Sequence, residues 1–238
     1  MIEIKDLKKT YCCNGCTKPL FAGFNLTIKR GEKVGLFAQN GTGKTTLINI
    51  LSGMDKEFIG RVFIKGERIS YVHQDPYATL APWFTCERNI LLVREYHHMD
   101  IEKGRSFLKK LIEELDINFS LTQYPFMLSG GQRQLVTLLR ALILEPDILL
   151  MDEPFSALDI KKRNAVIKFL TKYLTDNNLT AIICSHRGDE VKSLLDRAVI
   201  LECRSTTEIS KDIYLSSTNS RQEFERIISE IRFNGERL

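Results

Sequence analysis

The sequence predicts an α/β fold, with a mostly parallel sheet, an antiparallel β region at the amino-terminal end and a helical region inserted partway along. Three observations carry this. Short β-rich runs alternate with helical ones along the whole chain. Residues 148–151 and 180–184 are unbroken apolar runs bounded by polar residues, the pattern of central parallel strands buried on both faces. The length of 238 residues, 43% hydrophobic and 27% charged, suits one large domain with a substantial core.

Taken in order, residues 2–7, 24–28 and 61–64 read as amino-terminal antiparallel strands. Residues 33–37 form a buried strand that enters a glycine-containing loop, and a helix opens at Thr45 and runs to about Leu51. Another strand covers residues 69–73. From Pro76 to Leu128 the character changes. Pro76, Pro82 and Pro125 punctuate the stretch, and helical periodicity appears at 87–95 and 102–115. Residues 129–144 form a helix with Ser129 near its amino cap, so the inserted helical subdomain spans about 76–144 of a single domain covering 1–238. Residues 198–202 make a last strand. Residues 204–238 read as a polar tail with one helical segment near 221–231.

The formal net charge of +4 is too small to argue for nucleic acid as a partner, and it is compatible with work near an anionic membrane surface. No stretch reaches the roughly 18 apolar residues needed to span a bilayer. The run Met1-Ile2-Glu3-Ile4-Lys5-Asp6 holds no apolar signal core, so a cytosolic location is expected. Of the six cysteines, Cys12, Cys13 and Cys16 cluster, while Cys86, Cys184 and Cys203 are scattered. One C-x-x-C pair without a second pair or nearby histidines is an incomplete four-ligand zinc site, so reduced thiols in a turn are the expectation.

The run Ala38-Gln39-Asn40-Gly41-Thr42-Gly43-Lys44-Thr45-Thr46 joins a buried strand to a helix. Its glycines let backbone N–H groups turn inward around phosphate oxygens, and the helix adds its positive dipole end. Lys44 is placed to reach the β- and γ-phosphates of a nucleotide, and Thr45 to coordinate Mg²⁺. The core is therefore of the P-loop NTPase type. Ala38 stands where the motif has its first glycine, so the entry turn has to avoid positive φ. A second apolar strand ends in Asp152-Glu153, delivering Asp152 to a metal and Glu153 to a position where it could polarise an attacking water. His186 lies just past a third apolar strand, at the sheet edge where ligands of open α/β sheets gather. His73, His97 and His98 read as ordinary surface or core histidines. Small residues open the helix at Ser129-Gly130-Gly131-Gln132, where backbone can approach an anion closely.

The order of these motifs, with Leu128-Ser129-Gly130-Gly131-Gln132 between the phosphate loop and Asp152-Glu153, resembles the ATP-binding cassette (ABC) ATPases over nearly all of the chain. The resemblance implies ATP and Mg²⁺ as cofactors, with Asn40, Gly41, Thr42, Gly43, Lys44, Thr45 and Thr46 around the nucleotide. It makes Pro154-Phe155-Ser156-Ala157-Leu158-Asp159 the D-loop and His186 the switch histidine. Gln74 becomes the glutamine that senses metal and water. Tyr11 reads either as an ordinary strand-end tyrosine or, by position, as the aromatic that stacks on adenine. The resemblance also implies that Ser129, Gly130, Gly131 and Gln132 meet the γ-phosphate held by another subunit, so that two domains sandwich two ATP molecules head to tail.

A finer resemblance, to importer ATPases of the nitrate, sulfonate and taurine type, rests on Tyr71-Val72-His73-Gln74-Asp75, on Leu80-Ala81-Pro82-Trp83-Phe84-Thr85 with Asn89, and on Tyr124-Pro125. Two departures from that group are Arg88, where an acidic residue is usual, and a tail without Arg-Pro-Gly. This resemblance implies a homodimer or paired ATPase subunit beneath transmembrane permease subunits, peripheral at the cytoplasmic face of the cell membrane. It implies an extracytoplasmic solute-binding protein reached through the complex, and no nucleic acid. The alternatives are an exporter ATPase and a non-transport ABC protein. Against the latter stand the single phosphate loop and the absence of coiled-coil heptads. Trp83 and Phe84 either pack within the helical insertion or line a groove for a helix of the membrane subunit.

Overall fold

A computed structural model describes residues 1–13 and 16–235. The strands are β1 (Ile2–Cys13), β2 (Cys16–Ile28), β3 (Lys33–Phe37), β4 (Ile59–Ile64), β5 (Ile69–Val72), β6 (Ile148–Asp152), β7 (Thr180–Cys184), β8 (Arg197–Cys203) and β9 (Thr207–Tyr214). The α-helices are α1 (Lys44–Ser52), α2 (Cys86–Tyr96), α3 (Ile101–Glu114), α4 (Gly130–Ile143), α5 (Ile160–Asp176), α6 (Gly188–Val191) and α7 (Thr218–Gly235).

Two sheets result. β2, β1 and β4 form an antiparallel sheet in that order, with Ile2 opposite both Ile28 and Ile64. The larger sheet runs β5-β6-β7-β3-β8-β9, parallel throughout except where β9 returns antiparallel beside β8. Side chains alternate across a strand, so each central strand feeds two cores at once. Leu149, Met151, Ala181 and Ile183 face the core shared with the helices of the insertion and with α5. Ile148, Leu150, Ile182 and Cys184 face the other core, shared with α1 and the antiparallel sheet. Continuous apolar sequence in β6 and β7 is the direct consequence, because neither face of these strands meets water.

The insertion between β5 and β6 holds α2, α3 and α4, each started by a recognisable side-chain cap. Thr85 accepts from the Arg88 N–H, Asp100 from the Glu102 and Lys103 N–H groups, and Ser129 from the Gln132 N–H. Buried Asn89 fixes the preceding turn. Its Oδ1 accepts from the Ala81 N–H at 2.8 Å, and its Nδ2 donates to the carbonyls of Ala81, Phe84 and Thr85.

The expected strands and helices of the first two thirds are present, with β1 and β2 longer than the apolar pattern suggested. The tail reading needs correction. Residues 207–214 are strand β9, and α7 buries Phe224, Ile227 and Ile228 in the main core. The Phe224 ring lies 5.0 Å from that of Phe37 at the end of β3. The sequence reading also passed over α5, whose Val166, Ile167, Leu170 and Leu174 are buried at helical spacing behind N-cap Asp159. The turn between β1 and β2, with the side chains of Cys13 and Cys16, lies outside the described residues. Among the described ones no cluster of His, Cys, Asp or Glu is arranged to hold a metal.

Candidate active site

The carboxyl ends of β3, β6 and β7 are neighbours, and each delivers one part of the site. β3 runs into the loop 38–43, and Gly43 caps α1 with φ 95°. That left-handed conformation is open to glycine and strained for any residue with a Cβ. Gly41 is also left-handed, whereas Ala38 is not among the positive-φ residues, as its methyl group requires. Lys44 is buried, and its Nζ donates to the carbonyls of Ala38 and Gln39 at 2.8 and 3.2 Å. The Lys44 side chain thus arches back over its own loop.

β6 brings Asp152 to α1, where the Thr45 hydroxyl donates to Asp152 Oδ2 at 2.6 Å. Burial pushes the Asp152 carboxyl above its usual range, against the opposing pull of the Thr45 hydrogen bond and the nearby Lys44. The next residue, Glu153, takes a left-handed backbone with φ 46°. Its N–H donates to the Cys184 carbonyl at 3.0 Å, locking the turn against the end of β7. From that end comes His186, whose Nδ1 is 2.9 Å from Glu153 Oε1. The Glu153 carboxylate is largely buried while the His186 ring is half exposed, so the pair stands at the mouth of the site.

At the near rim the Tyr11 hydroxyl and the Thr46 hydroxyl are 3.1 Å apart, and Lys9 Nζ lies 5.1 Å from the Tyr11 ring centroid. The Tyr11 ring is exposed beside the phosphate-loop helix, so one face is open to a flat partner. Gln74 and Asp75 are exposed just beyond β5.

The Ser129–Gln132 run begins α4 with a reciprocal capping box, Ser129 Oγ on the Gln132 N–H and Gln132 Oε1 on the Ser129 N–H. A Cβ on Gly131 would come within 2.8 Å of the Ala157 carbonyl, so only glycine lets α4 lie against the 154–159 loop. Three residues further, Gln134 is buried inside that junction. Its Nε2 donates to the Glu153 carbonyl at 3.0 Å and its Oε1 accepts from the Ala157 N–H at 2.9 Å. Sequence reasoning missed Gln134. The available signal was a long polar side chain on the apolar face of α4, which a buried helix tolerates only with partners.

The loop after Gln74 carries Trp83 and Phe84, and the structure separates them. Trp83 is 72% exposed. Phe84 is half-buried, with the Arg88 guanidinium 5.7 Å from its ring. Arg88 also pairs with Glu95, which gives the residue that departs from the importer pattern a local role.

A glycine-rich loop at a helix start, a hydroxyl–carboxylate pair beside it and a Glu–His pair opposite define a P-loop nucleotide-binding domain. Comparison with known proteins narrows the class. Residues 21–156 match the ABC transporter family. The aliphatic sulfonates import ATP-binding protein SsuB of Corynebacterium glutamicum is 34% identical over 84% of this chain and 79% of its own. The bicarbonate transport ATP-binding protein CmpC of Synechococcus elongatus is 31% identical over 84% of this chain, which spans only 31% of that protein. Among solved structures, a dimeric post-hydrolysis ATP-binding cassette bound to ADP and Pi superposes with a TM-score of 0.83 at 26% identity, covering 91% of this chain and 100% of that one. The chain belongs to the ABC transporter family, as an ATP-binding cassette ATPase. No helix among the described residues is long and apolar enough to cross a membrane.

Proposed function

We propose that this chain is the ATP-hydrolysing subunit of a transporter that imports a small solute, and that Glu153 and His186 carry the hydrolysis. The observation behind the chemical part is the 2.9 Å contact between His186 Nδ1 and Glu153 Oε1, across the site from the phosphate loop. Backbone N–H groups of residues 41–45 and Lys44 Nζ take the phosphates, with Asn40 and Thr46 at the edges and Tyr11 against adenine. Lys44 leaves the Ala38 and Gln39 carbonyls for the β- and γ-oxygens. The Glu153 carboxylate accepts the proton of the water that attacks the γ-phosphorus, and ADP leaves with the bridging oxygen. His186 holds Glu153 and the γ-phosphate in register.

Mg²⁺ fits the oxygen donors at hand: the Thr45 hydroxyl, Asp152 and, from the next strand end, Gln74. The 2.6 Å approach of Thr45 to Asp152 already sets two hard oxygen ligands side by side. When bound, the ion supplies charge neutralisation between the phosphate oxygens.

Ser129, Gly130, Gly131 and Gln132 meet the γ-phosphate of a second subunit, head to tail. ATP closes the pair and hydrolysis reopens it. Transmembrane permease subunits dock on the helical insertion, with an extracytoplasmic solute-binding protein beyond them, which puts the chain at the cytoplasmic face of the membrane. The import reading is supported by the sulfonate relative, which is named as an import ATP-binding protein, and the small-solute reading also by the bicarbonate relative, named as a transport ATP-binding protein.

Glu153→Gln tests the chemical part. Hydrolysis should fall on the order of 100- to 10,000-fold while ATP affinity is kept, the span associated with loss of a catalytic acid–base group. ATP should then trap a dimer visible by gel filtration. Turnover near that of the parent protein would remove Glu153 from the role.

A further inference from the structure

We infer that Thr207, the first residue of β9, is a positioning residue for the nucleotide: it aims a backbone N–H of the phosphate loop. This rests on the phosphate-loop reading above. Thr207 and Thr42 are both buried, and the Thr207 hydroxyl donates to the Thr42 carbonyl at 2.7 Å across 165 residues of sequence. The Thr42 hydroxyl in turn donates to the Gln39 carbonyl at 2.6 Å.

The peptide group between Thr42 and Gly43 is planar and trans, so its C=O and N–H point in opposite directions. Holding the Thr42 carbonyl against β9 therefore turns the Gly43 N–H away from β9. That N–H has no backbone acceptor among the described residues, although the Gly43 carbonyl already accepts from the Leu47 N–H at 2.9 Å. Gly43 sits at φ 95°, where a glycine peptide is free to flip if nothing restrains it. One restraint comes from α1 on the carboxyl side of Gly43, and the other comes from Thr207 on its amino side. Preset in this way, the N–H meets a phosphate oxygen without the loop having to reorganise first.

The test compares Thr207→Val, which keeps the shape and loses the hydroxyl, with Thr207→Ser, which keeps the hydroxyl. Measurements are the ADP dissociation constant by calorimetry, KM and kcat for ATP, and melting without nucleotide. The expectation for Thr207→Val is a rise of about threefold to tenfold in KM and in the ADP constant, the worth of one hydrogen bond, with kcat moving less than about twofold. Thr207→Ser should restore both constants. Parent-like affinity in Thr207→Val overturns the inference. So does a Thr207→Ser protein as weak as Thr207→Val, or a loss of affinity that only tracks a loss of melting temperature and kcat. Lys44→Ala is run beside them. If it too binds ADP like the parent, the phosphate-loop reading itself is wrong; if it loses binding while Thr207→Val does not, only the role of Thr207 falls.

Discussion

Gln134 offers the sharpest test of how the site is held. Its amide spans the start of α4 and the loop after Glu153, donating to the Glu153 carbonyl and accepting from the Ala157 N–H. Replacing it with leucine fills similar space and removes both bonds. The Glu153 carbonyl keeps a second donor, since Ser156 Oγ lies 3.1 Å away, so that oxygen is not orphaned. The Ala157 N–H loses its partner, but Ala157 is exposed and water can reach it. The predicted destabilisation is therefore modest, about 1–3 kcal/mol, from two lost bonds with one group partly compensated. In a chain of this length that is roughly 2–12 °C of melting temperature, measurable by calorimetry. The kinetic effect should be disproportionate. The Glu153 backbone is already left-handed, and loosening its carbonyl frees the carboxylate to drift from the place its proposed role requires. We predict that kcat falls while KM for ATP holds, because the phosphate loop is untouched. Gln134→Glu is the companion variant: it still accepts from Ala157 but sets a buried carboxylate against the Glu153 carbonyl, so it should be the worse of the two. If Gln134→Leu keeps both stability and kcat, or if Gln134→Glu proves the milder change, the bridge is incidental packing.

Two further outcomes are expected. Asp152→Asn should raise the melting temperature of the nucleotide-free protein while abolishing Mg²⁺-dependent hydrolysis, because burial disfavours the Asp152 charge. The sign follows from a raised folded-state pKa: the acid is neutral in both states below about pH 4, and the penalty enters as pH rises through the raised value. The advantage of Asn should therefore vanish in acid and grow toward neutrality, and an equal advantage at every pH would refute the cause. Trp83→Ser should leave melting and ATPase activity of the isolated subunit unchanged, since the ring is 72% exposed, and should weaken co-purification with the permease. Unchanged co-purification would move the docking surface elsewhere.

Much of this site could be read from sequence because its parts sit where strands end and helices begin. The apolar runs of β6 and β7 announce two buried strands, and a polar residue just past each can only lie at the sheet edge. This places Asp152, Glu153 and His186 together without coordinates. Ser129 is legible as a cap for the same local reason. What stayed hidden depends on contacts distant in sequence. Thr207 and Gln134 are ordinary residues whose roles come from a carbonyl 165 residues away in one case and from a loop in another element in the other. β9 was missed because only Thr207 and Ile213 of its eight residues are buried, so no clean alternation marks an edge strand. α5, by contrast, is written locally, in the helical spacing of Val166, Ile167, Leu170 and Leu174 and in the Asp159 cap.

The strand that carries the phosphate loop sits between β7 and β8, and no earlier strand of the large sheet touches it. Two residues ahead of it, the Gly31 N–H donates to the Thr180 hydroxyl, 149 positions later. Synthesis at about 5–20 residues per second puts roughly 7–30 s between the emergence of those two partners. During that interval Val34, Leu36 and Phe37 have no lattice to enter, although β1, β2 and β4 can already pair among themselves. A nascent chain halted before β7 would carry the whole glycine-containing loop while β3 still lacked both of its neighbours in the sheet. Closure of β3 into the large sheet thus waits on strands made long after the loop that follows it.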